Sequence, residues 1–190
     1  MKEIMRMILV LTVICTVCGV ALSALRNATS ARIEYQILTN VQGPKVKLVL
    51  EGSENDLITD RKKVMVNGKE MLLFIGKKEG KPWAIAYETL GKGFGGEIKV
   101  MIGYDILHDK LKGIQIISHK ETPGVGARVT EDQFTRNFKG LDIGIKFVPK
   151  NDGGDIDAIS GATFSSRGVC EAIRKSIAIY PEVKKMVVTS

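Results

Sequence analysis

The sequence predicts an α+β domain that follows an N-terminal transmembrane helix, with a mostly antiparallel sheet and helices near the C-terminus. Three observations predict this architecture. The chain begins with a long uncharged segment, its middle contains short apolar runs separated by turn residues, and its end has apolar residues at helical spacing. A length of 190 residues with 44% hydrophobic residues suits one folded domain and excludes a disordered chain.

The composition narrows the classes of function. Lys and Arg total 28 against 21 Asp and Glu, and the net charge of +7 favours an anionic partner such as a nucleic acid or a membrane surface. Aromatic residues make up only 6% and do not alternate with Lys and Arg as a base-stacking surface requires, so we expect no nucleic-acid partner. The 3 cysteines are too few for a disulfide scaffold.

The first element is the uncharged segment of residues 7–25. At ~1.5 Å per residue a helix of this length spans about 28 Å, close to the thickness of the hydrocarbon core of a membrane. The alternative is a cleaved signal peptide, with the small residues Ala21 and Ser23 before the cut. The apolar run is longer than a usual signal core, so we favour a retained anchor over residues 1–26. Basic residues flank the run on both sides and leave its orientation undetermined.

Cys15 and Cys18 form a C-x-x-C pair on the anchor helix. One interpretation is an intramembrane iron–sulfur site that a partner protein completes. The other is a pair of small apolar side chains in a stripe that faces lipid or another helix. A cluster needs further cysteines, which the anchor lacks, so we favour the second interpretation.

A connector and the start of the domain occupy residues 27–60, with an extended break at Gly43-Pro44 and a strand or short helix at residues 46–50. The sequence Asn67-Gly68 between apolar runs at residues 64–66 and 71–75 predicts a hairpin, and Glu79-Gly80 predicts the next turn. Further strands are expected at residues 82–87, 98–104 and 111–117. In the strand at 98–104 apolar residues alternate with charged or small ones, which predicts one buried and one solvent-exposed face.

Helices are expected late in the chain. The sequence Thr130-Glu131-Asp132 is typical of a helix start, and Gly140 ends that segment. A short strand at residues 143–148 and a loop at residues 151–154 follow. The last helix begins near Ser165 and is expected to end at Pro181.

Motifs for acid–base, metal or nucleotide-hydrolysis chemistry are missing from the sequence, and we expect neither catalytic residues nor a metal site. The glycine-rich segment of residues 89–96 lacks the spacing of a dinucleotide-binding motif, and a flexible hairpin loop is its simplest interpretation. The hydroxyls of Thr163, Ser165 and Ser166 lie where the last helix begins. A helix N-terminus suits a phosphate, although ordinary N-capping would also explain a hydroxyl there.

Two segments resemble a known family. The first is Asp157-x-x-Ser160-Gly161-Ala162-Thr163, which resembles the flavinylation motif of FMN-binding domains. In that family a flavin transferase joins the phosphate of FMN to the hydroxyl of the motif threonine. The second is Glu121-Thr122-Pro123-Gly124-Val125-Gly126, which resembles a signature of the G subunit of the Rnf electron transport complex and of the C subunit of the sodium-pumping NADH:quinone oxidoreductase. The compact chain is more similar to the G subunit.

The resemblance implies FMN as a covalent cofactor, attached by a phosphoester to Thr163. Ser165 is the nearest rival hydroxyl, but Thr163 matches the motif threonine itself. Asp157 is expected to position the loop for modification or to bind the polar tail of the flavin. The small residues of the motif allow the backbone to approach a bulky group; they are Ser160, Gly161 and Ala162. The flavin ring is expected beside Glu121, Thr122, Pro123 and Gly124.

Cations near the ring would stabilise the reduced, anionic flavin. Nearness in sequence to the two motifs makes Lys92, Arg128 and Arg167 the candidates. His119 matches no essential position of the family and is expected to be structural.

The resemblance further implies an electron-transfer subunit of a membrane-bound, ion-translocating oxidoreductase of the Rnf ferredoxin:NAD type. Its partners would be other membrane and iron–sulfur subunits and the flavin transferase. The FMN-binding domain, residues 61–190, would lie on the extracytoplasmic side of the cytoplasmic membrane. The alternatives are a membrane-tethered FMN-binding sensory module, the C subunit of the sodium-pumping enzyme, and a basic adaptor for a membrane surface or nucleic acid.

Overall fold

The computed structural model describes residues 2–188, which divide into two compact units, one that ends at Asn40 and one that begins at Val41. The first unit is formed by helix α1, Lys2–Ile37, which extends beyond the predicted anchor. It is part of a helical stretch long and apolar enough to cross a membrane, which supports a membrane-bound protein. The hydroxyls of Thr12 and Thr16 donate to the carbonyls of Ile8 and Thr12, both at 2.8 Å, so these polar groups are satisfied within the helix.

The predicted break at Gly43-Pro44 is wrong, because the chain remains helical there. A short π-helix, Leu38–Gln42, follows α1, and helix α2 spans Gly43–Val49. Pro44 lies in the first turn of α2, where the missing N–H costs no hydrogen bond. The short helix is therefore the correct one of the two structures predicted for residues 46–50.

Five strands form one antiparallel sheet in the order of the sequence, as the α+β prediction requires. Two-residue turns join the first three strands, and Asn67 and Gly68 have the positive φ angles of 51° and 74° that a type I′ turn needs. Glu79 and Gly80, with φ angles of 48° and 74°, form the second such turn. The strands are β1 Lys62–Val66, β2 Lys69–Lys78, β3 Lys81–Lys92, β4 Glu97–Asp105 and β5 Lys110–Ser118.

Both faces of the sheet are covered, so the predicted solvent-exposed face of β4 is wrong. One face packs against helix α4, Thr163–Val188, through buried residues such as Ile102 and Ile173. On the other face Met101 is fully buried, and Gly103 packs so closely against Val49 of α2 that a Cβ would overlap it. Helix α2 therefore covers the face that the alternation pattern assigned to solvent.

Polar contacts hold α2 on the sheet. The side-chain amide of Gln42 donates to the carboxylate of Glu88 at 2.7 Å. The ammonium of Lys45 donates to the carbonyl of Ile117 at 3.2 Å, and burial lowers the pKa of this lysine.

The segment between β5 and α4 is compact but irregular. It contains 3-10 helices Gly126–Thr130, Arg136–Phe138 and Lys150–Asp152, and a one-turn helix α3, Asp132–Thr135. The strand predicted at residues 143–148 is wrong, because local turns replace ladder pairing there. The buried ring of Phe147 fixes this segment to the core instead.

Helix α4 continues past Pro181 to Val188, so the predicted end of this helix is wrong. A proline inside a helix costs about 3 kcal/mol or more. Val183 and Val187 lie beyond the proline and are both buried, and each buried valine contributes about 1.5–3 kcal/mol. Their burial outweighs the lost backbone hydrogen bond.

Candidate functional site

A cleft of about 380 Å³ lies at the N-terminal end of α4. It brings together the two sequence motifs and the glycine-rich loop between β3 and β4. Its lining includes six of the ten predicted site residues, which are Glu121, Thr122, Gly161, Ala162, Thr163 and Ser165. The other lining residues are Phe94, Val125, Gly126 and Phe164.

The start of α4 determines where Thr163 lies. Gly161 has a φ angle of 78°, a conformation that glycine adopts without strain, and this turn directs the chain into the helix. The hydroxyl of Ser166 accepts from the backbone N–H of Ile159 and donates to the carbonyl of Ala162, both at 3.1 Å. This double contact fixes the loop before the helix. Thr163 is then the first helical residue and lies half-buried at the cleft.

Ser165 is placed differently from Thr163. Its side chain is only 2% exposed, and its hydroxyl donates to the carboxylate of Glu121. Within residues 2–188, the Thr163 hydroxyl has no such bond. Of the two candidate hydroxyls, Thr163 is therefore accessible and Ser165 is occupied.

Glu121 joins the two motifs and the glycine-rich loop. It is 5% exposed, and its carboxylate accepts from the backbone N–H groups of Gly95 at 2.9 Å and Phe94 at 3.3 Å, as well as from Ser165. The backbone N–H of Glu121 donates to Nδ1 of His119 at 3.2 Å. His119 thus supports the segment that carries Glu121, in agreement with a structural role.

The glycines around the cleft are explained by close packing rather than by flexibility. A Cβ on Gly168 of α4 would lie 2.9 Å from the backbone of Lys92 and Gly93. A Cβ on Gly126 would lie 2.7 Å from both Glu121 Oε2 and Ser165 Oγ. The glycine-rich segment is therefore the hairpin loop between β3 and β4, as the sequence predicted, and it packs against α4.

The cleft also contains apolar side chains that the sequence motifs did not indicate. Phe94 is 74% exposed and Phe164 is 59% exposed, and their ring centroids lie 6.2 Å apart. Val125 adds a third exposed apolar side chain to the lining. Exposed aromatic residues at a cleft are typical of a binding site. The available signal was a phenylalanine within a glycine run and another directly after the motif threonine.

Two motif residues do not line this cleft. Asp157 and Ser160 line a second cavity of about 280 Å³, together with Arg128 and Glu131. The carboxylate of Asp157 forms an ion pair with Lys150 at 2.8 Å. Pro123 and Gly124 are also outside the lining and form the turn that the backbone bond from Val125 to Thr122 closes at 3.3 Å.

The three predicted cations do not line the cleft either. Arg167 makes two contacts of 2.6 Å with Asp152, and this hydrogen bonding lowers the pKa of that carboxyl group. Its guanidinium lies 5.1 Å from the ring centroid of Phe164. Arg128 pairs with Glu131 at 3.3 Å. Lys92 is the last residue of β3, and its backbone N–H donates to the carboxylate of Glu171 on α4 at 3.0 Å.

These features fit a flavin nucleotide. The cleft volume of about 380 Å³ falls in the range of about 300–1,000 Å³ that is usual for small-molecule sites. Apolar side chains dominate one part, which suits an aromatic ring system. The first turn of α4 supplies free N–H groups beside Thr163, which suit a phosphate.

Comparisons with known proteins support this identification. Residues 93–178 match the family described as FMN-binding domain, and all residues that line the cleft fall in this range. The G subunit of the ion-translocating oxidoreductase complex of Methanosarcina acetivorans is 27% identical over 178 residues, covering 93% of this chain and 94% of that protein. The G subunit of Vibrio parahaemolyticus is 35% identical over 114 residues, covering 56% of this chain and 54% of that protein. The chain thus matches about half of the length of the Vibrio relative.

The fold also has a counterpart among solved structures. The crystal structure of Shewanella oneidensis NqrC is similar with a TM-score of 0.54 and 21% identity, covering 73% of this chain and 72% of that chain. The family match and the relatives confirm the resemblance to the G subunit that the two motifs indicated, and the NqrC structure shows a similar fold.

Proposed function

Because the chain carries an FMN-binding domain and resembles the G subunit of ion-translocating oxidoreductase complexes, we propose that it is an electron-carrying flavoprotein whose FMN is joined covalently to Thr163. The link is a phosphoester between the ribityl phosphate of FMN and the threonine hydroxyl. Bound FMN supplies reversible one- and two-electron transfer, and such a carrier needs no acid–base catalyst.

The observation that carries this proposal is the difference between two hydroxyls on the same helix turn. Thr163 is half-buried at the cleft, whereas the Ser165 hydroxyl is buried and donates to Glu121. Modification of Ser165 would have to break that bond and leave the buried carboxylate of Glu121 without one of its donors. Thr163 carries no such cost.

The residues of the cleft suggest how FMN would be held. Phe94, Val125 and Phe164 offer the apolar surface for the isoalloxazine ring. The N–H groups of the first turn of α4 would bind the phosphoester, whose negative charge the helix dipole favours. Thr122 and Glu121 would be the polar groups near the ring, because both line the cleft.

The remaining motif residues have roles outside the cleft. Pro123 and Gly124 form the turn that positions Thr122, because the backbone N–H of Val125 donates to the carbonyl of Thr122 across this turn. Asp157 and Ser160 belong to the neighbouring cavity, so we assign them to positioning the loop for modification rather than to contact with the flavin.

Attachment requires a flavin transferase and an activated flavin nucleotide. The bond between Thr163 Oγ1 and phosphorus forms as the phosphoanhydride bond of the donor breaks, and the hydroxyl proton is released with the departing nucleotide. The protein therefore gains the mass of one FMN less one water. A tether of this kind keeps the cofactor at a high effective concentration where a free nucleotide would be diluted.

The cellular role follows from the same resemblance. We propose an anchor over residues 1–26, a connector and start of the domain over residues 27–60, and a covalent FMN-binding domain over residues 61–190. The domain would lie on the extracytoplasmic side of the cytoplasmic membrane. There it would pass electrons between redox centres of an Rnf-type complex that couples ferredoxin oxidation and NAD reduction to ion transport.

Intact mass tests the attachment. The full-length protein is produced in a host that contains a flavin transferase, together with Thr163→Val and Ser165→Ala. We expect wild type and Ser165→Ala to gain one FMN less one water and Thr163→Val to gain nothing. A modified Thr163→Val, seen by mass or by fluorescence of the denatured band, would exclude Thr163 as the acceptor.

Co-purification tests the cellular role. A tagged chain from its native membrane should bring multi-span membrane subunits and iron–sulfur proteins with it. A chain that is flavinylated but purifies alone would favour the membrane-tethered FMN-binding module instead.

A further inference from the structure

The cleft contains one charged side chain among the residues that line it, and that side chain is acidic. Of the ten lining residues, nine are apolar, hydroxylic or glycine, and the tenth is Glu121. We propose that Glu121 lowers the reduction potential of the FMN by holding a negative charge beside it. This inference rests on the proposed function, because it requires FMN in this cleft.

The charge that lines the cleft is negative, whereas the sequence suggested cations near the flavin. Arg167 is one of the cations predicted to favour the reduced flavin, but Asp152 contacts its guanidinium twice at 2.6 Å and offsets its charge. Arg128 lines the neighbouring cavity and pairs with Glu131 at 3.3 Å. Glu121 has no basic partner among its contacts in residues 2–188. The one charged side chain among the residues that line the cleft is therefore negative and has no basic partner among its hydrogen bonds in the described part of the chain.

The contacts of Glu121 suit a carboxylate rather than a carboxylic acid. Three donors converge on its oxygens: the N–H groups of Phe94 and Gly95 and the hydroxyl of Ser165. A charged acceptor gains more from such bonds than a neutral one. Because the side chain is 5% exposed, water screens its charge only weakly.

The physical consequence concerns the two redox states of FMN. Reduction by two electrons places negative charge on the ring system. A fixed carboxylate beside the ring repels that charge and raises the free energy of the reduced state relative to the oxidised state. The potential therefore falls, and the flavin becomes a stronger electron donor.

The competing explanation is that Glu121 serves only as a structural link between the glycine-rich loop and α4. Two variants separate these roles. Glu121→Gln keeps the size of the side chain and removes the charge. Ser165→Ala keeps the charge and removes one of the donors that offset it. If Glu121 is only a structural link, the midpoint potential of the flavin should shift in the same direction in both variants. If its charge acts on the flavin, the two variants should shift the potential in opposite directions.

The experiment uses the full-length protein in detergent, with one FMN per chain established by intact mass. Midpoint potentials are measured by spectroelectrochemical titration, and the dissociation constant of sulfite, which adds to the electron-poor flavin ring, is measured by absorbance. We expect Glu121→Gln to lower the dissociation constant of sulfite about tenfold. We also expect a rise in the midpoint potential of about 30 mV, which corresponds to a tenfold change in the equilibrium of a two-electron couple. Ser165→Ala should lower the potential and weaken sulfite binding.

Glu131→Gln is the matched control, because it removes one carboxylate that lies outside the cleft and is paired with Arg128. It should leave both measurements unchanged. A potential that is unchanged or lower in Glu121→Gln would overturn the inference, as would a higher potential in Ser165→Ala. If Glu121→Gln does not take up FMN, the direction in which Ser165→Ala shifts the midpoint potential decides between the two roles of Glu121. A wild-type protein without FMN would instead refute the proposed function.

Discussion

The contact between two glycines gives a prediction whose size follows from the structure. A Cβ on Gly91 of β3 would overlap the carbonyl oxygen of Gly168 on α4 and lie 2.8 Å from its carbonyl carbon and 2.9 Å from the amide nitrogen of Ala172. Because nonbonded atoms pack at about 3.5–4.0 Å, the overlap with the carbonyl oxygen means that Gly91→Ala must separate strand and helix by about 2 Å. Overpacking usually costs about 1–3 kcal/mol, and we expect about 2–3 kcal/mol because backbone groups cannot rotate away.

Thermal unfolding measures this effect. The chain contains one tryptophan, Trp83, and it lies on β3, so its fluorescence reports the unfolding of the domain that contains the clash. At about 2–4 °C per kcal/mol, the expected loss lowers the melting temperature by about 4–12 °C. Gly144→Ala is the control, because its Cβ would meet only a carboxylate oxygen of Asp142 at 3.1 Å, and a side chain can move. Equal melting temperatures for Gly91→Ala and wild type would refute the close contact between β3 and α4.

Three further predictions concern the core and α4. Burial raises the pKa of Tyr87, Tyr104 and Tyr180, so the pKa of each is higher in the folded state than in the unfolded state. The free energy of unfolding is therefore at its full value below about pH 10 and falls above it by about 1.4 kcal/mol per pH unit for each tyrosine. Tyr180→Phe should reduce this slope, as measured by denaturant titrations at several pH values. Ser176→Ala removes the hydroxyl that accepts from the Tyr104 hydroxyl at 2.7 Å in the core. The same titration should show a loss of about 1–3 kcal/mol in the free energy of unfolding. An unchanged free energy would mean that this hydrogen bond contributes nothing. Pro181→Ala restores a backbone donor at an exposed position inside α4 and should raise the melting temperature, which a lower value would contradict.

The parts of the fold that the sequence predicted correctly depend on local interactions. The β1–β2 turn needs two residues with positive φ, and Asn67 and Gly68 are residues that adopt this conformation readily. The strands on either side of each turn then pair with each other through contacts that are close in sequence. The result is an antiparallel meander of five strands. The same reasoning explains why the start of α4 was nearly correct, since small and hydroxylic residues precede it.

The errors arose where distant segments meet. Nothing in the alternation of β4 indicates that Val49, more than fifty residues earlier, covers Gly103. Pro181 is a local signal for a helix end, but the buried Val183 and Val187 outweigh it through contacts with the core. The strand expected at residues 143–148 failed for the same reason, because burial of Phe147 does not require ladder pairing.

The candidate site shows the same division between local and long-range determinants. The pattern from Asp157 to Thr163 is local, and two hydrogen bonds of Ser166, to Ile159 and Ala162, fix the turn before α4. The electrostatics of the cleft are not local, because the carboxylate of Glu121 is held by the loop at Phe94 and Gly95 and by α4.

Nearness in sequence was therefore a poor guide to the charges that line the cleft. Arg167 is four residues from Thr163, but its ion pair with Asp152 makes it a poor source of positive charge for the cleft. The proposed attachment and the proposed tuning of the potential consequently depend on different parts of the chain. A change that displaces the glycine-rich loop should alter the potential of the flavin while the threonine remains a substrate for modification.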